Sequence, residues 1–225
     1  MKDPTTLNEI QDLAEKGNIY CVKHLERYNF LIGLINNLES NVQIKIRNYI
    51  PNLGFFSALS ELEFINFAKI NEINILDYEF KSNKESSIDF LVEKNGEKIY
   101  VEVYCRDQSL NFESGSACPY DTLGTSINGK LKKFKYSEIN VLFIDSRYSG
   151  INKYYIEWFL DGDCFCDNTN PKKHKKSIKF DARKILNAVI ILKRDESYSL
   201  YINKNKDNIE NWNKFNFKKT IVELI

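Results

Sequence analysis

A few acids and lysines carry the chemistry that this chain can be expected to do. Asp89 and Glu102 lie on two runs with strand character, residues 88–93 and 98–105, joined by Asn95-Gly96. Both members of an Asn-Gly pair tolerate positive φ, which suits a two-residue type I′ hairpin turn. With that turn Lys94 pairs with Glu97, Val92 with Ile99, and Asp89 falls opposite Glu102. Directly opposed residues share a face, about 5 Å apart at Cβ. Like charges so placed destabilise a sheet unless something neutralises them. A divalent cation is the obvious partner, because Mg2+ is held by one or two carboxylates plus substrate phosphate oxygens. The bland alternative stays open: a hairpin with one wet face also carries acids, and a bulge would separate these two.

Other constellations are poorer. His24 and His174 are the two histidines, and no elbow motif surrounds a Ser or Cys, so triad chemistry is not expected. The nine glycines are scattered and form no phosphate-binding loop. Cys164-Phe165-Cys166 with His174 has no zinc-site spacing, and five cysteines without a repeated spacing point to free thiols in a reducing compartment. The lysine-rich loop NPKKHKK (residues 170–176) has the charge to meet a phosphate backbone, yet lysines in a loop are ordinarily solvated.

The elements that position the acids follow from periodicity. Thr5-Thr6 caps a short helix ending near Gly17, a second helix covers 22–38, and a further turn or two fills 42–50 before Pro51. These predict an N-terminal helical extension (1–56) ahead of an α/β domain (57–225), the two forming one compact unit. Residues 57–70 read as a helix with Ala58, Glu61, Leu62, Ile65 and Ala68 on one face. Glu61 is then a carboxylate among small alanines, and Glu63 is its competitor. Residues 75–80 alternate as a strand ahead of the hairpin. After it, 107–125 is long and irregular, as functional or mobile connections are. Residues 126–136 (SINGKLKKFKY) read as a helix bearing Lys130, Lys132, Lys133 and Lys135. Residues 140–146 (NVLFIDS) suit a strand buried on both faces. A short helix over 152–160, a hairpin of 187–193 with 198–202, and a last apolar run at 220–225 complete the chain.

The order from residue 57 to about 146 resembles the αβββαβ core of the restriction-endonuclease-like, or PD-(D/E)-x-K, nuclease superfamily. SALSELEF places Glu61 where that family has its helix glutamate. SSIDFLV places Asp89 at its metal-binding aspartate, and IYVEVY places Glu102 at its second acid. GKLKKF resembles the basic helix beside the site. The resemblance implies a mixed sheet flanked by helices and a DNA phosphodiester hydrolase, with restriction or defence as a compatible setting. It also implies Mg2+ (or Mn2+) on Asp89 and Glu102, with Glu61 as a further ligand. Two departures stand out. Ile88 replaces a proline, and Tyr104 replaces the motif lysine, so a helix lysine, Lys130, Lys132 or Lys133, must supply the missing charge. The alternative is a catalytically degenerate member that binds nucleic acid or protein without cutting.

The totals agree with a soluble protein of this kind. Its 225 residues are 43% hydrophobic and 28% charged, with a net charge of +1, which argues against a histone-like partner surface. The polar N-terminus has no signal-type apolar run and no stretch is long enough to span a bilayer, so a cytoplasmic protein without a membrane partner is expected. DNA is the expected partner, and a homodimer is compatible with the sequence.

Overall fold

Asn95 and Gly96 both adopt positive φ, 53° and 82°, and close the hairpin in the expected register. Lys94 pairs with Glu97, Val92 with Ile99 and Phe90 with Val101. The computed structural model describes residues 6–81, 87–105, 127, 129–147, 153, 156–157, 160, 182–204, 217–218 and 220–224. The connection at 107–125, the basic loop at 170–176 and Cys164 to Cys166 lie outside the described residues, as does most of the helix expected at 152–160.

The strands are β1 (Asn74–Lys81), β2 (Ser87–Lys94), β3 (Glu97–Cys105), β4 (Ile139–Asp145), β5 (Ala188–Leu192), β6 (Tyr198–Ile202) and β7 (Thr220–Leu224). Among the described residues they form one mixed seven-stranded sheet in sequence order. β1–β2, β2–β3 and β5–β6 are antiparallel, while β3–β4, β4–β5 and β6–β7 are parallel. Parallel neighbours need crossovers, and strands covered on both faces read as continuous apolar runs. β4 and β5 (AVIIL) do so.

Four helices precede the sheet: α1 (Leu7–Glu15), α2 (Ile19–Leu34), α3 (Ser40–Tyr49) and α4 (Phe55–Ile70). Thr6 and Glu9 form a reciprocal capping box that starts α1. Asn18 caps α2 three residues earlier than periodicity placed its start, by accepting from the N–H groups of Tyr20 and Cys21. Pro51 sits inside a short 3-10 turn, which it tolerates near the start of a helix.

α4 departs most from expectation. One buried face was expected, but twelve of its sixteen residues are buried. A helix apolar all round is a covered helix. The sheet lies on one side of α4 and α2 on the other, so residues of the N-terminal helices, such as Ile10 and Leu31, share one core with the sheet. On the opposite face a second core gathers Ile127, Leu131, Ile156, Ala182 and Leu186 against Tyr104, Leu142 and Ile144. A helical turn at residues 182–185, α5, belongs to this layer. The architecture is therefore a mixed α/β sheet flanked by helices, with the N-terminal helices packed on one face.

Candidate active site at a fork in the sheet

The β2–β3 ladder ends at Phe90–Val101. Beyond that pair the two strands keep their outer partners: Ile88 and Ser87 stay on β1, while Glu102 to Cys105 stay on β4. The sheet thus forks at the point where Asp89 and Glu102 stand. Instead of a ladder bond, the Val103 N–H donates to Asp89 Oδ2 at 2.8 Å. Asp89 is 3% exposed and Glu102 is fully buried.

Two ammonium groups meet these acids from the layer containing residues 127 and 129–131. Lys130 Nζ lies 2.7 Å from Asp89 Oδ2 and 3.0 Å from Glu102 Oε2. Lys133 Nζ lies 3.0 Å from both oxygens of Glu102 and 3.5 Å from Asp89 Oδ1, and it donates to Glu102 Oε2 and, at the longer distance, to Asp89 Oδ1, leaving Glu102 Oε1 without a hydrogen bond. Two oxygens, Asp89 Oδ1 and Glu102 Oε1, are therefore lightly engaged. The helix expected over 126–136 ends at Leu131, and in the turn that follows Lys132 is exposed and does not line the pocket, whereas Lys133 does. Lys133, one step on, takes the place that Lys132 was expected to fill.

Glu61 approaches from α4, in the other layer, and lines the same pocket as Asp89, Lys130 and Lys133. Its Oε2 accepts from the Tyr78 hydroxyl at 2.5 Å. Burial, with Asp89 adding to it, raises the Glu61 carboxyl to about 8, so Glu61 is largely protonated at neutral pH. Burial and then Asp89 also raise Glu102, to about 7. Burial opposes the charge on Lys130, but Asp89 and Glu102 outweigh it and hold that ammonium above the usual lysine range. Tyr78 is raised as well, by burial and the adjacent Glu61.

Glu79 is a site residue that sequence reasoning missed. It sits within β1 at φ 49°, a left-handed conformation unusual for a non-glycine residue and one that clusters at functional sites. The irregularity turns its carboxylate into the pocket, where Ser87 Oγ donates to it and Tyr49 is hydrogen-bonded to it. Nothing in the alternation of NILDYEFK announces such a kink. The pocket encloses about 340 Å3. Tyr104 lines it too, on the Glu102 side as alternation requires, with its ring in the second core.

Glu63, the competing acid of α4, faces away from this pocket. It is fully buried and takes a two-pronged bond from Arg27 of α2, with both contacts at 2.8 Å, and a third from Arg147 at 2.6 Å. Arg147 also grips Asp145 at 2.9 and 2.6 Å, and Ser60 lies 2.8 Å from the same carboxylate. This network ties α2, α4 and the end of β4 together. Nearby His24 is lowered to about 4 by burial and by Arg147, so it stays neutral.

Hard oxygen donors suit a divalent cation; Asp89 Oδ1 and Glu102 Oε1 are the least engaged carboxylate oxygens, each with Lys133 Nζ beside it at 3.5 and 3.0 Å, and of the two acids Asp89 lines the pocket while Glu102 is fully buried. Among the described residues, no group of three His, Cys, Asp or Glu side chains is close enough to hold a metal ion. Glu61 is directed to Tyr78 rather than onto the other two acids. Among the described residues no helix is long and apolar enough to cross a membrane.

No protein-family model matches this chain. No curated protein matches it. Among solved structures, SfsA of Pyrococcus furiosus in complex with Ca2+ is similar over 62% of this chain, at 12% identity and a TM-score of 0.28. The chain spans 55% of the length of that protein.

Proposed function

We propose that this chain is a metal-dependent nuclease of the restriction-endonuclease-like kind, hydrolysing DNA phosphodiester bonds at the sheet fork. The observation that supports it most is the four-group cluster: Asp89 and Glu102 side by side, with Lys130 and Lys133 reaching both from the adjoining helical layer. Asp89 and Glu102 are the residues that would hold Mg2+ or Mn2+. Such an ion supplies Lewis-acid stabilisation of a phosphoryl oxygen and a more acidic water.

The chain's own groups do the rest. Val103 N–H and Lys130 fix the Asp89 carboxylate through Oδ2, which leaves Oδ1 with only the long 3.5 Å contact to Lys133. Lys130 and Lys133 keep two positive charges at the mouth of the pocket, where negative charge on a scissile phosphate would grow. They are the groups that replace the motif lysine lost at Tyr104. Glu61, largely protonated, adds no further repulsion beside Asp89. The ion-paired closure of both acids also favours a second reading, a non-catalytic nucleic-acid-binding module whose lysines have taken the place of metal.

A plasmid-nicking assay with Mg2+ or Mn2+ separates the two. The wild type is expected to nick, Asp89→Ala to be inert, and Lys130→Ala or Lys133→Ala to lose ~10²–10³ in rate, as when one charge-stabilising group is removed. Lys132→Ala is expected to cut normally. Inert wild type favours the binding module. Cutting that survives Asp89→Ala overturns the assignment.

A further inference from the structure

Beside the candidate site, α3 and β1 enclose a groove of about 520 Å3, lined in part by Lys45, Asn48, Tyr49, Phe80 and Lys81. Tyr49 and Glu79 belong to the walls of both this groove and the site pocket, so the two spaces adjoin. Tyr49 is 41% exposed and stands edge-on to Tyr78, ring centroids 5.7 Å apart at 74°. The two acids of the groove are engaged: Asp77 by Lys45 and the Tyr78 N–H, Glu79 by Ser87 and Tyr49. An aromatic ring, the Asn48 amide and the exposed Lys81 ammonium remain to meet a ligand.

That combination is the chemistry of a base and its phosphate. Base-on-aromatic stacking tolerates any sequence because every base has a π-face, and lysines track the backbone. The volume is that of a small-ligand site, room for a single nucleotide unit. One wall of the groove comes from α3, which gives that N-terminal helix a use beyond packing.

We propose that this groove holds an unpaired nucleotide flanking the scissile phosphate, its base on Tyr49 and its phosphate near Lys81. The inference rests on the nuclease reading and narrows its substrate to nucleic acid that is single-stranded beside the cut. It makes Tyr49 a substrate-positioning residue.

The test is fluorescence anisotropy with a 5′-labelled single-stranded oligonucleotide and its duplex, Ca2+ replacing Mg2+. Wild type is expected to prefer the single strand. Tyr49→Ala should weaken that binding roughly 10-fold or more, the effect of losing one stacked base. Tyr49→Phe, which keeps the ring and loses the hydroxyl, should bind like wild type. Lys81→Ala should lower the slope of log K against log salt by about 0.7, one phosphate's share. Should Tyr49→Ala unfold, Tyr49→Leu keeps bulk against Tyr78 without a π-face and carries the same expectation. Equal single-strand binding by these ring-less variants and wild type overturns the groove, as does a preference of wild type for duplex. Nicking by wild type that is indifferent to Tyr49 sinks the groove and leaves the nuclease. Tyr49-dependent binding by an inert wild type leaves the groove and sinks the catalysis.

Discussion

Glu61→Gln tests the electrostatics of the fork without touching its ion pairs. Glutamine retains the volume of the side chain and an oxygen to accept from Tyr78. It removes a carboxyl group that burial and Asp89 raise from 4.5 to about 8. A carboxyl whose folded value is raised binds its proton more tightly in the native state than in the unfolded chain. Native stability is therefore greatest when the group is protonated in both states, and it falls as pH rises from the unfolded value through the folded one. From the two values, deprotonation should cost the wild type about 3 kcal/mol between about pH 5 and about pH 8. For a chain of this length that is roughly 6–12 °C in thermal midpoint. Glu102, raised to about 7, titrates in the same window, so the variant keeps a residual slope. The assay is a series of thermal melts across that window in metal-free buffer. Wild type should lose midpoint steadily, and Glu61→Gln should lose less and be the more stable protein at the alkaline end. Parallel profiles would refute the reasoning, since they would mean that Glu61 is already ionised or well solvated.

Three further outcomes are expected. Glu63→Ala should cost roughly 3–5 kcal/mol in denaturant melts, because it strips a fully buried acid from two arginines, Arg27 and Arg147. Mg2+ should raise the thermal midpoint of wild type by mass action, and Asp89→Asn should remove most of that rise. Because Asp89 holds the Val103 N–H and Lys130, that variant should also be less stable without metal, the reverse of what relief of acid–acid repulsion alone predicts. Lys130→Ala should lower the metal-free midpoint and respond to Mg2+ more strongly than wild type, since the ion then restores charge that the lysine supplied; an equal response in calorimetry would count against Asp89 and Glu102 as the ion's ligands.

The hairpin was legible because its turn is a local signal. Asn95-Gly96 fixes the register as far as Phe90–Val101, which leads Asp89 and Glu102 to the fork, where Lys130 and Lys133 reach both rather than a ladder pairing them as expected. The buried strands β4 and β5 were legible for a similar reason, as continuous apolar runs. What the sequence concealed were effects of the third dimension on single residues. α4 reads as a one-sided helix in isolation, and only α2 packing behind it turns Glu63 from a competitor for the site into a buried hub. Lys132 and Lys133 are adjacent in sequence, and which of them faces the site is set by the turn in which the helical stretch ends after Leu131, which helical periodicity does not foresee. Glu79 reaches the pocket through a left-handed residue inside a strand, a device with no compositional mark when the residue is not glycine. Arg147 and Asp145 lie at the end of β4, and their partners, Ser60 and Glu63, are more than eighty positions away.

The fork itself explains why one site draws on both layers of helices. An intact β2–β3 ladder would keep Glu61 on one face of the sheet and Lys130 and Lys133 on the other. The strands separate after Phe90–Val101, and Asp89 spends its carboxylate on the Val103 N–H that the opened ladder leaves behind. Glu61 then lines the same pocket as the two lysines. The charge state follows from this arrangement. Asp89 and Glu102 face two ammonium groups, and Glu61 is kept largely neutral, so the cluster is close to balanced as it stands. A bare divalent ion arriving here meets two resident positive charges, whereas an ion accompanied by a phosphate group brings less net charge and offers the lysines an anion of their own. On the proposed reading, metal and substrate would each favour the other's entry, and the low dielectric around the buried acids would strengthen that coupling.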